Sequence, residues 1–355
     1  MFFSSYRLTP HRQVDGVVTS RIRSYTGTSH PGPYHFKLIR DPVRYTAIGV
    51  VRLEGKIRIV NADGSKITAE GKNTAGAGGK KVGIVDGWGA AWISSVKLLF
   101  CKTVVSDSAS TEYYYKTLLS KLINYSESAS LCHLKAGGFH EPRDQDLGDA
   151  NTANGVTPYT HNQEQIKRFY SSKYVTFSVE LNVDELKINK EWPENLDVEI
   201  HISRKPDAFV LMSESNTVQF KYELHDLELS VKRIQPSKAL LKSNRNMLMR
   251  QPAIYPFTKW ECCEYKLEKQ QDYFLTSNLF AGRVPSKTIY LLLEQDQYLG
   301  SFEKSPSYLH HYNLKSFKQK INGLDSPFGL EFDWTETKNN EVAYRYIMDA
   351  LGNSF

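Results

Sequence analysis

Apolar and polar side chains alternate strictly along two stretches of this chain, residues 175–181 and 196–202. In each stretch an apolar side chain occupies every second position, which places one set of side chains on a buried face and the other in water. Both stretches are therefore predicted to be β-strands. Further strands are predicted from similar patterns at 45–53, 56–60, 95–100, 218–224, 227–231, 260–267 and 288–293.

Helical periodicity is much less common in the sequence. One amphipathic helix is predicted over residues 110–124, because Tyr114, Leu118 and Leu122 fall on a single stripe at helical spacing. Shorter helices are predicted at 237–247 and 341–351. Because strands outnumber helices, the fold class predicted is all-β, a sandwich or a barrel with a few short helices.

Two polar segments, 68–83 and 137–163, show neither periodicity and are predicted to be long loops. Loops longer than about 12–15 residues in a compact domain are often functional. The best domain boundary is the stretch 236–251, which is predicted to link a first domain at 14–235 to a second domain at 252–355.

Positive charge is concentrated around this boundary, in a chain whose formal net charge is only +6. Such a stretch could bind nucleic acid or an acidic protein surface, although the charges of a linker are more often simply solvated. Both interpretations stay open at the sequence level. The cations are Lys232, Arg233, Lys238, Lys242, Arg245 and Arg250.

A glycine-rich segment ends in Gly79-Lys80-Lys81 and invites comparison with a phosphate-binding loop. The spacing does not fit, because the first glycine of that motif would fall at Thr74 and its Ser or Thr at Lys81. A flexible loop is the favoured interpretation.

Metal and catalytic motifs are also missing from the sequence. The carboxylates of Asp144, Asp146 and Asp149 lie in a polar loop, but the spacing of an EF-hand would require a further ligand at Gly148. No Cys-x2-Cys pair, Gly-x-Ser-x-Gly elbow or His-Glu-x-x-His helix occurs. We therefore assign no catalytic, cofactor-binding or metal-ligating residue and predict that the protein is not an enzyme. The candidate soft ligands are Cys132-His133, Cys262-Cys263 and His310-His311, and we expect buried cysteines and a surface histidine pair instead.

The composition, with 40% hydrophobic and 24% charged residues, is that of a globular protein. Four cysteines in 355 residues do not make a disulfide framework, which favours a reducing compartment. No apolar run resembles a signal peptide or a membrane-spanning helix, so a protein without a transmembrane segment that is not secreted is expected.

Several segments, taken in order along the chain, are similar to segments of one protein family. The stretch 122–125 ends a helix with a Leu-x-Asn-Tyr-type motif, and 204–209 follows a hydrophobic strand with Arg-x-x-Asp-x-Phe. The full set is 92–100, 113–126, 196–209, 227–237, 255–259, 285–289 and 310–315. From about residue 14 to its C terminus, the chain resembles the double jelly-roll (hexon-like) major capsid proteins of Polinton/Maverick and adintovirus-type DNA viruses, including copies carried in animal genomes.

This resemblance implies two jelly rolls side by side, one at 14–235 and one at 252–355. It also implies a homotrimer that contacts neighbouring capsomers and the penton and minor capsid proteins, with genome DNA a further candidate partner at the inner face. The protein would be made in the cytoplasm or nucleus of the host cell and reside in the virion capsid. Because 104 residues follow Gln251, about half the length of the first roll, the second roll is expected to be reduced or incomplete.

Three other functions remain open at the sequence level. A jelly roll can carry a glycan- or receptor-binding site on its loops, and it can hold a metal-dependent enzyme site if histidines and carboxylates converge. A domesticated, non-viral role for a genome-borne copy is the third. The loops 68–83 and 137–163 are the candidate intersubunit contacts under the capsid hypothesis.

Overall fold

A computed structural model of the 355-residue chain describes residues 14–26, 32–107, 112–125, 128–129, 132–139, 167–188, 190–269, 271–277, 279–280, 283–325, 329–334, 341–343 and 345. Contacts divide the chain into two compact units. The first comprises Met1–Trp260 and Asp296–Ser307, and the second comprises Glu261–Gln295 and Tyr308–Phe355.

Two antiparallel sheets form the body of the first unit. The first sheet runs in the order β1 (Val14–Arg23), β11 (Phe220–Pro236), β3 (Tyr45–Asn61) and β7 (Val175–Glu180), with β8 (Glu191–Trp192) also paired to β3. The second sheet runs in the order β2 (Tyr34–Leu38), β9 (Val198–Arg204), β5 (Ile93–Phe100) and β6 (Thr103–Asp107). A separate short pair joins β4 (Val82–Ile84) to β10 (Leu211–Ser213).

The pairing of the eight main strands is nested. The first strand pairs with the last (β1 with β11), the second with the seventh (β2 with β9), the third with the sixth (β3 with β7) and the two central strands with each other (β5 with β6). A long hairpin ribbon folded over into two sheets has this pairing, and the result is an eight-stranded jelly roll. The all-β fold class predicted from the alternation is confirmed.

The core lies between the two sheets and is rich in aromatic side chains. Trp92 and Tyr34 are fully buried and contact each other edge to face, with ring centroids 5.9 Å apart. Trp192 of the first sheet contacts Phe100 of the second at 4.9 Å. The Trp192–Phe100 contact joins the two sheets across the core, as expected for a sandwich.

Five α-helices lie wholly within the described residues, and no helix there is long and apolar enough to cross a membrane. They are α1 (Trp88–Ala91), α2 (Glu112–Asn124), α3 (Asp207–Val210), α4 (Lys238–Leu248) and α5 (Gln295–Leu299). Three 3-10 helices lie at His133–Gly137, Tyr170–Ser172 and Asp184–Leu186. The helices predicted at 110–124 and 237–247 are confirmed as α2 and α4, and the described residues of 341–351 are helical.

Two pairs of predicted strands are single long strands in the structure. β11 begins at Phe220 and includes the rest of 218–224 and all of 227–231, because a bulge at Asp226, with φ of 52°, interrupts the ladder without ending it. β3 likewise includes both 45–53 and 56–60 as one strand. The two predictions were separated at Gly55, where the missing side chain leaves room for the side chain of Leu227. A Cβ at Gly55 would lie only 2.6 Å from the Leu227 side chain, so the apolar pattern breaks there while the strand continues.

Other predictions of strands are wrong. Residues 260–267 and 288–293 alternate in polarity, but they are not in strands. An alternating segment becomes a strand only if a second strand supplies hydrogen bonds, and neither segment is paired within the described residues. Conversely, the sequence analysis missed β1, β2 and β6. The side chains of β1 and β6 are mainly exposed and so do not alternate in polarity, whereas β2 is a five-residue strand that alternates and was overlooked.

The described strands of the second unit are short. β12 (Ser316–Phe317) pairs with β15 (Leu330–Glu331), and β13 (Lys320–Ile321) pairs with β14 (Leu324–Asp325). The boundaries at 235 and 252, and a second roll over 252–355, stay predictions.

Candidate assembly surface

The Arg-x-x-Asp-x-Phe segment at the end of β9 forms a structural corner of the roll. An Nη of Arg204 donates to Asp207 Oδ1 at 3.0 Å, and its guanidinium lies 4.1 Å from the centre of the Tyr222 ring. Asp207 Oδ1 also accepts from the backbone N–H of Tyr222 at 3.2 Å, and Phe209 is fully buried. These contacts tie β9 and α3 to β11, so this motif supports the fold.

The outer faces of both sheets are covered by cross-strand ion pairs. Exposed pairs of this kind keep a face soluble and add little stability, about 0–1 kcal/mol each. The described residues of these faces form no apolar centre of the kind that a stable protein interface needs. The pairs on the first sheet are Arg52–Glu180, Lys56–Asp226, Arg58–Glu223 and Arg23–Glu228, and those on the second are Lys37–Glu199 and Lys97–Asp107.

The β1–β2 edge, defined by Val17, Val18, Tyr25 and Ile39, differs from these faces. β1 is ten residues long and, among the described strands, pairs only with β11, so its other side presents unpaired backbone N–H and C=O groups. Val17 and Val18 are neighbours that point to opposite faces, yet they are 61% and 45% exposed. Among the described residues, neither face of β1 is therefore fully covered here.

A groove runs along the β1–β2 edge and combines apolar and basic side chains. Ile39 is 76% exposed, and its carbonyl oxygen accepts a 2.6 Å hydrogen bond from Arg233, the residue opposite Val18 in the ladder. The groove is lined by Arg21, Ile22, Arg23, Tyr25, Lys37, Ile39 and Glu199.

The edge strand of the second sheet, β6, has the same character. It pairs only with β5 among the described strands, and its adjacent residues Val104 and Val105 are both exposed. A tight turn at Cys101 and Lys102, whose φ angles are 48° and 68°, joins it to β5. The roll thus has an open strand edge in each sheet, and a sheet edge of this kind is a template for a further strand or subunit.

Two histidines stack beside the β1–β2 edge. The rings of His35 on β2 and His201 on β9 lie 3.9 Å apart and 10° from parallel. Tyr25 Oη lies 3.0 Å from His35 Nδ1, and a carboxylate oxygen of Glu199 lies 3.4 Å from His201 Nε2. Burial lowers the pKa of His35, the positive charge of His201 lowers it further, and Glu199 opposes both effects.

We expect the protein to lose stability in mild acid through this pair. The unfolded chain protonates His35 near its ordinary pKa of 6.5, whereas the folded chain does so only at lower pH. The contribution of His35 to the free energy of unfolding is therefore fully present above its ordinary pKa of 6.5. It decreases as the pH falls from there towards the lower pKa of the folded state. Melting curves between about pH 7 and pH 5 should show a smaller decrease for His35→Gln than for the unmodified chain. His133→Gln, at an exposed histidine elsewhere, is the control, and equal pH dependence in all three proteins would contradict the assignment.

The glycine-rich segment 68–83 is a folded hairpin and not the flexible loop expected. Its two arms are hydrogen-bonded to each other, with Asn73 N–H donating to Lys80 at 3.1 Å and Val82 N–H donating to Gly71 at 3.0 Å. Gly71 has a φ of 74°, and a Cβ there would lie 2.2 Å from the Tyr170 ring. The glycine thus allows close packing against the roll.

The remaining sequence candidates do not converge on a site. All four cysteines are exposed, so the expectation that they are buried in strands is wrong. His310 is exposed as expected, and His311 stacks on Trp334 at 3.9 Å. In the part of the chain that the structure describes, no group of three or more His, Cys, Asp or Glu side chains could hold a metal ion. Asp144, Asp146 and Asp149, and residues 140–163 of the second predicted loop, lie outside the described residues.

The nested pairing of eight strands defines this chain as a jelly-roll protein. No protein-family model matches it, and no curated protein does. Among solved structures, it is similar to a chain of the Sputnik virophage determined by cryo-EM, with 8% identity, a TM-score of 0.44, and coverage of 66% of this chain and 51% of that one.

Two viral major capsid proteins are also matched. The Faustovirus protein is 7% identical with a TM-score of 0.38, covering 71% of this chain and 58% of that one. The mavirus protein is 10% identical with a TM-score of 0.31, covering 66% and 48%. The chain spans about half the length of the structures it matches. The jelly-roll assignment itself comes from the strand pairing, and the Polinton and adintovirus lineage stays a prediction.

Proposed function

We propose that this chain is a major capsid protein that forms part of an icosahedral virion shell. One observation carries the proposal: an eight-stranded jelly roll has ion-paired outer faces, but its edge strands β1 and β6 expose valines and have one unpaired side among the described strands. In such a molecule the charged faces stay hydrated, and the strand edges are the surfaces available to bind another copy. Its role is self-association and not catalysis.

The open edges suggest how copies of the chain associate. In our proposal the β1–β2 edge of one copy binds a different surface of the next copy. Such a heterologous contact closes into a ring of three when each copy is rotated by one third of a turn. A ring of this kind is the trimeric, pseudo-hexagonal capsomer expected from the resemblance, and capsomers would then contact one another and the penton and minor capsid proteins. DNA would be enclosed by the shell.

The native mass of the purified chain tests this proposal. We expect a species of about 122 kDa, three times the 40.6 kDa chain, at micromolar concentration. Electron microscopy of the same sample should show hexagonal arrays or closed shells at higher concentration. A protein that stays at 40.6 kDa over the whole concentration range would contradict the proposal.

A further inference from the structure

The stretch of chain around α4 contains cations but no anions. Residues 229–260 include seven Lys and Arg and neither Asp nor Glu, whereas the whole chain has 39 acidic residues in 355. A stretch of this length with the average composition would hold about three or four acidic residues. The positive charge here is therefore not balanced along the sequence, and only contacts with the rest of the fold can balance it.

The fold pairs two of these cations with acidic residues of the roll. Arg245 Nε donates to Glu194 Oε1 at 2.7 Å, and an Nη of Arg245 donates to the carbonyl oxygen of Pro42 at 2.8 Å. Arg233 is largely buried, and its guanidinium lies 3.7 Å from Asp41. Both arginines therefore anchor α4 and the end of β11 to the roll. Other cations of the stretch are exposed and form no ion pair within the described residues: Lys232, Lys238, Lys242 and Arg250.

The orientation of α4 places Lys238 and Lys242 towards solvent. The side chain of Ser237 caps the helix by accepting from Leu240 N–H, and Asn244 donates to Tyr45 Oη at 3.1 Å. Leu240, Leu241 and Asn244 are half-buried, so they form the side that faces the roll. Lys238 and Lys242 are one turn apart on the opposite side.

We propose that the α4 cationic face, consisting of Lys238 and Lys242 on the helix and the exposed Arg250 two residues beyond its end, binds the phosphodiester backbone of DNA. The solvent side of the helix also carries the uncharged hydrogen-bonding side chains of Ser243 and Asn246 and no carboxylate. Phosphate oxygens accept from these groups without regard to base sequence. Lys238 and Lys242 are separated by a rise of about 6 Å, over which duplex DNA presents several phosphates.

The chemistry of this face favours a polyanion over a protein partner. The centre of a protein interface is typically apolar or aromatic and depleted of lysine, whereas this face presents lysines and amides. Met247 and Met249 are exposed at the C-terminal end of the helix, so an anionic lipid surface is the alternative that the experiment must separate. That the DNA is a packaged genome rests on the capsid function proposed above, but the binding itself does not.

The test is the salt dependence of DNA binding by the full chain, measured by fluorescence anisotropy with a duplex of random sequence. For the triple variant Lys238→Gln/Lys242→Gln/Arg250→Gln, we expect the slope of log K against log salt to decrease by about 2–3, since each phosphate contact contributes about 0.9. The matched control is Lys66→Gln/Lys102→Gln/Lys173→Gln, which removes the same charge at exposed lysines without ion pairs within the described residues. We expect this control to leave the slope unchanged.

Three outcomes would overturn the proposal. They are no binding of DNA by the unmodified chain at low salt, an equal loss in the triple variant and its control, and binding to phosphatidylserine vesicles but not to DNA. Melting curves of both variants check that they are folded, and their native masses are measured in parallel. Loss of DNA binding from an intact trimer supports the α4 cationic face, whereas DNA binding by a persistent monomer contradicts the capsid function alone.

Discussion

Replacing Val18 by lysine should convert the assembled protein into monomers of 40.6 kDa. Val18 lies on β1, 45% exposed, beside the unpaired strand edge. Burying an unpaired ammonium group in an interface costs several kcal/mol, and charged side chains on edge strands are a common means of preventing edge-to-edge pairing. In the isolated chain the lysine can extend into water, so the free energy of unfolding should change by only about 0.5 kcal/mol.

The measurement is the native mass of Val18→Lys at concentrations where the unmodified chain is trimeric. Val284→Lys is the matched control, because it makes the same substitution at another exposed valine, one that lies outside the roll. We expect the control to keep the native mass of the unmodified chain. A trimer of undiminished stability in Val18→Lys would exclude the β1–β2 edge from the interface.

The second large effect is expected at the corner that joins β9 to β11. Arg204→Met leaves Asp207 without its cationic partner, while the side chain of Asp207 is only 30% exposed. Removing one partner of a buried pair is strongly destabilising because the remaining charge stays desolvated. Since this pair is partly exposed, we expect a loss of about 2–4 kcal/mol in the free energy of unfolding.

Urea unfolding of Arg204→Met, Asp207→Asn and the double variant measures this effect as a double-mutant cycle. The two losses should not add, because the double variant no longer buries an unpaired charge. Arg52→Met is the control, since it breaks the exposed pair with Glu180 and should cost about 0–1 kcal/mol. Equal losses in Arg204→Met and Arg52→Met would contradict a structural role for the corner.

The sequence predicts this fold best where strands are buried on one face only. β7 and β9 alternate strictly and were placed within two residues of their observed bounds. β1 and β6 could not be found in this way because both of their faces are partly exposed. These exposed strands form the candidate assembly surface. Alternating polarity therefore identifies strands that line the core but does not identify the strands of this surface.

Bulges and partner strands account for the other differences. Asp226 and Gly55 interrupt the apolar pattern of two long strands, yet each strand continues because its ladder resumes on the far side. Residues 260–267 alternate in polarity as clearly as many strands do, but they do not form a strand. Alternation is a local property, whereas the hydrogen bonds that make a strand come from residues elsewhere in the chain.

The sequence by itself determined that this protein is mostly β-structure, because side-chain periodicity is set by neighbouring residues. It also determined that the stretch 229–260 carries no acidic residue. Only the tertiary structure decided that β1 pairs with β11, some two hundred residues away, and that no other described strand pairs with β1 on its other side. The same is true of the cations: Lys242 and Arg245 lie three positions apart, but only the fold brings Glu194 to Arg245 and leaves Lys242 in solvent. The physical reason is that pairing of strands and of charges depends on which distant segments the burial of the core brings together.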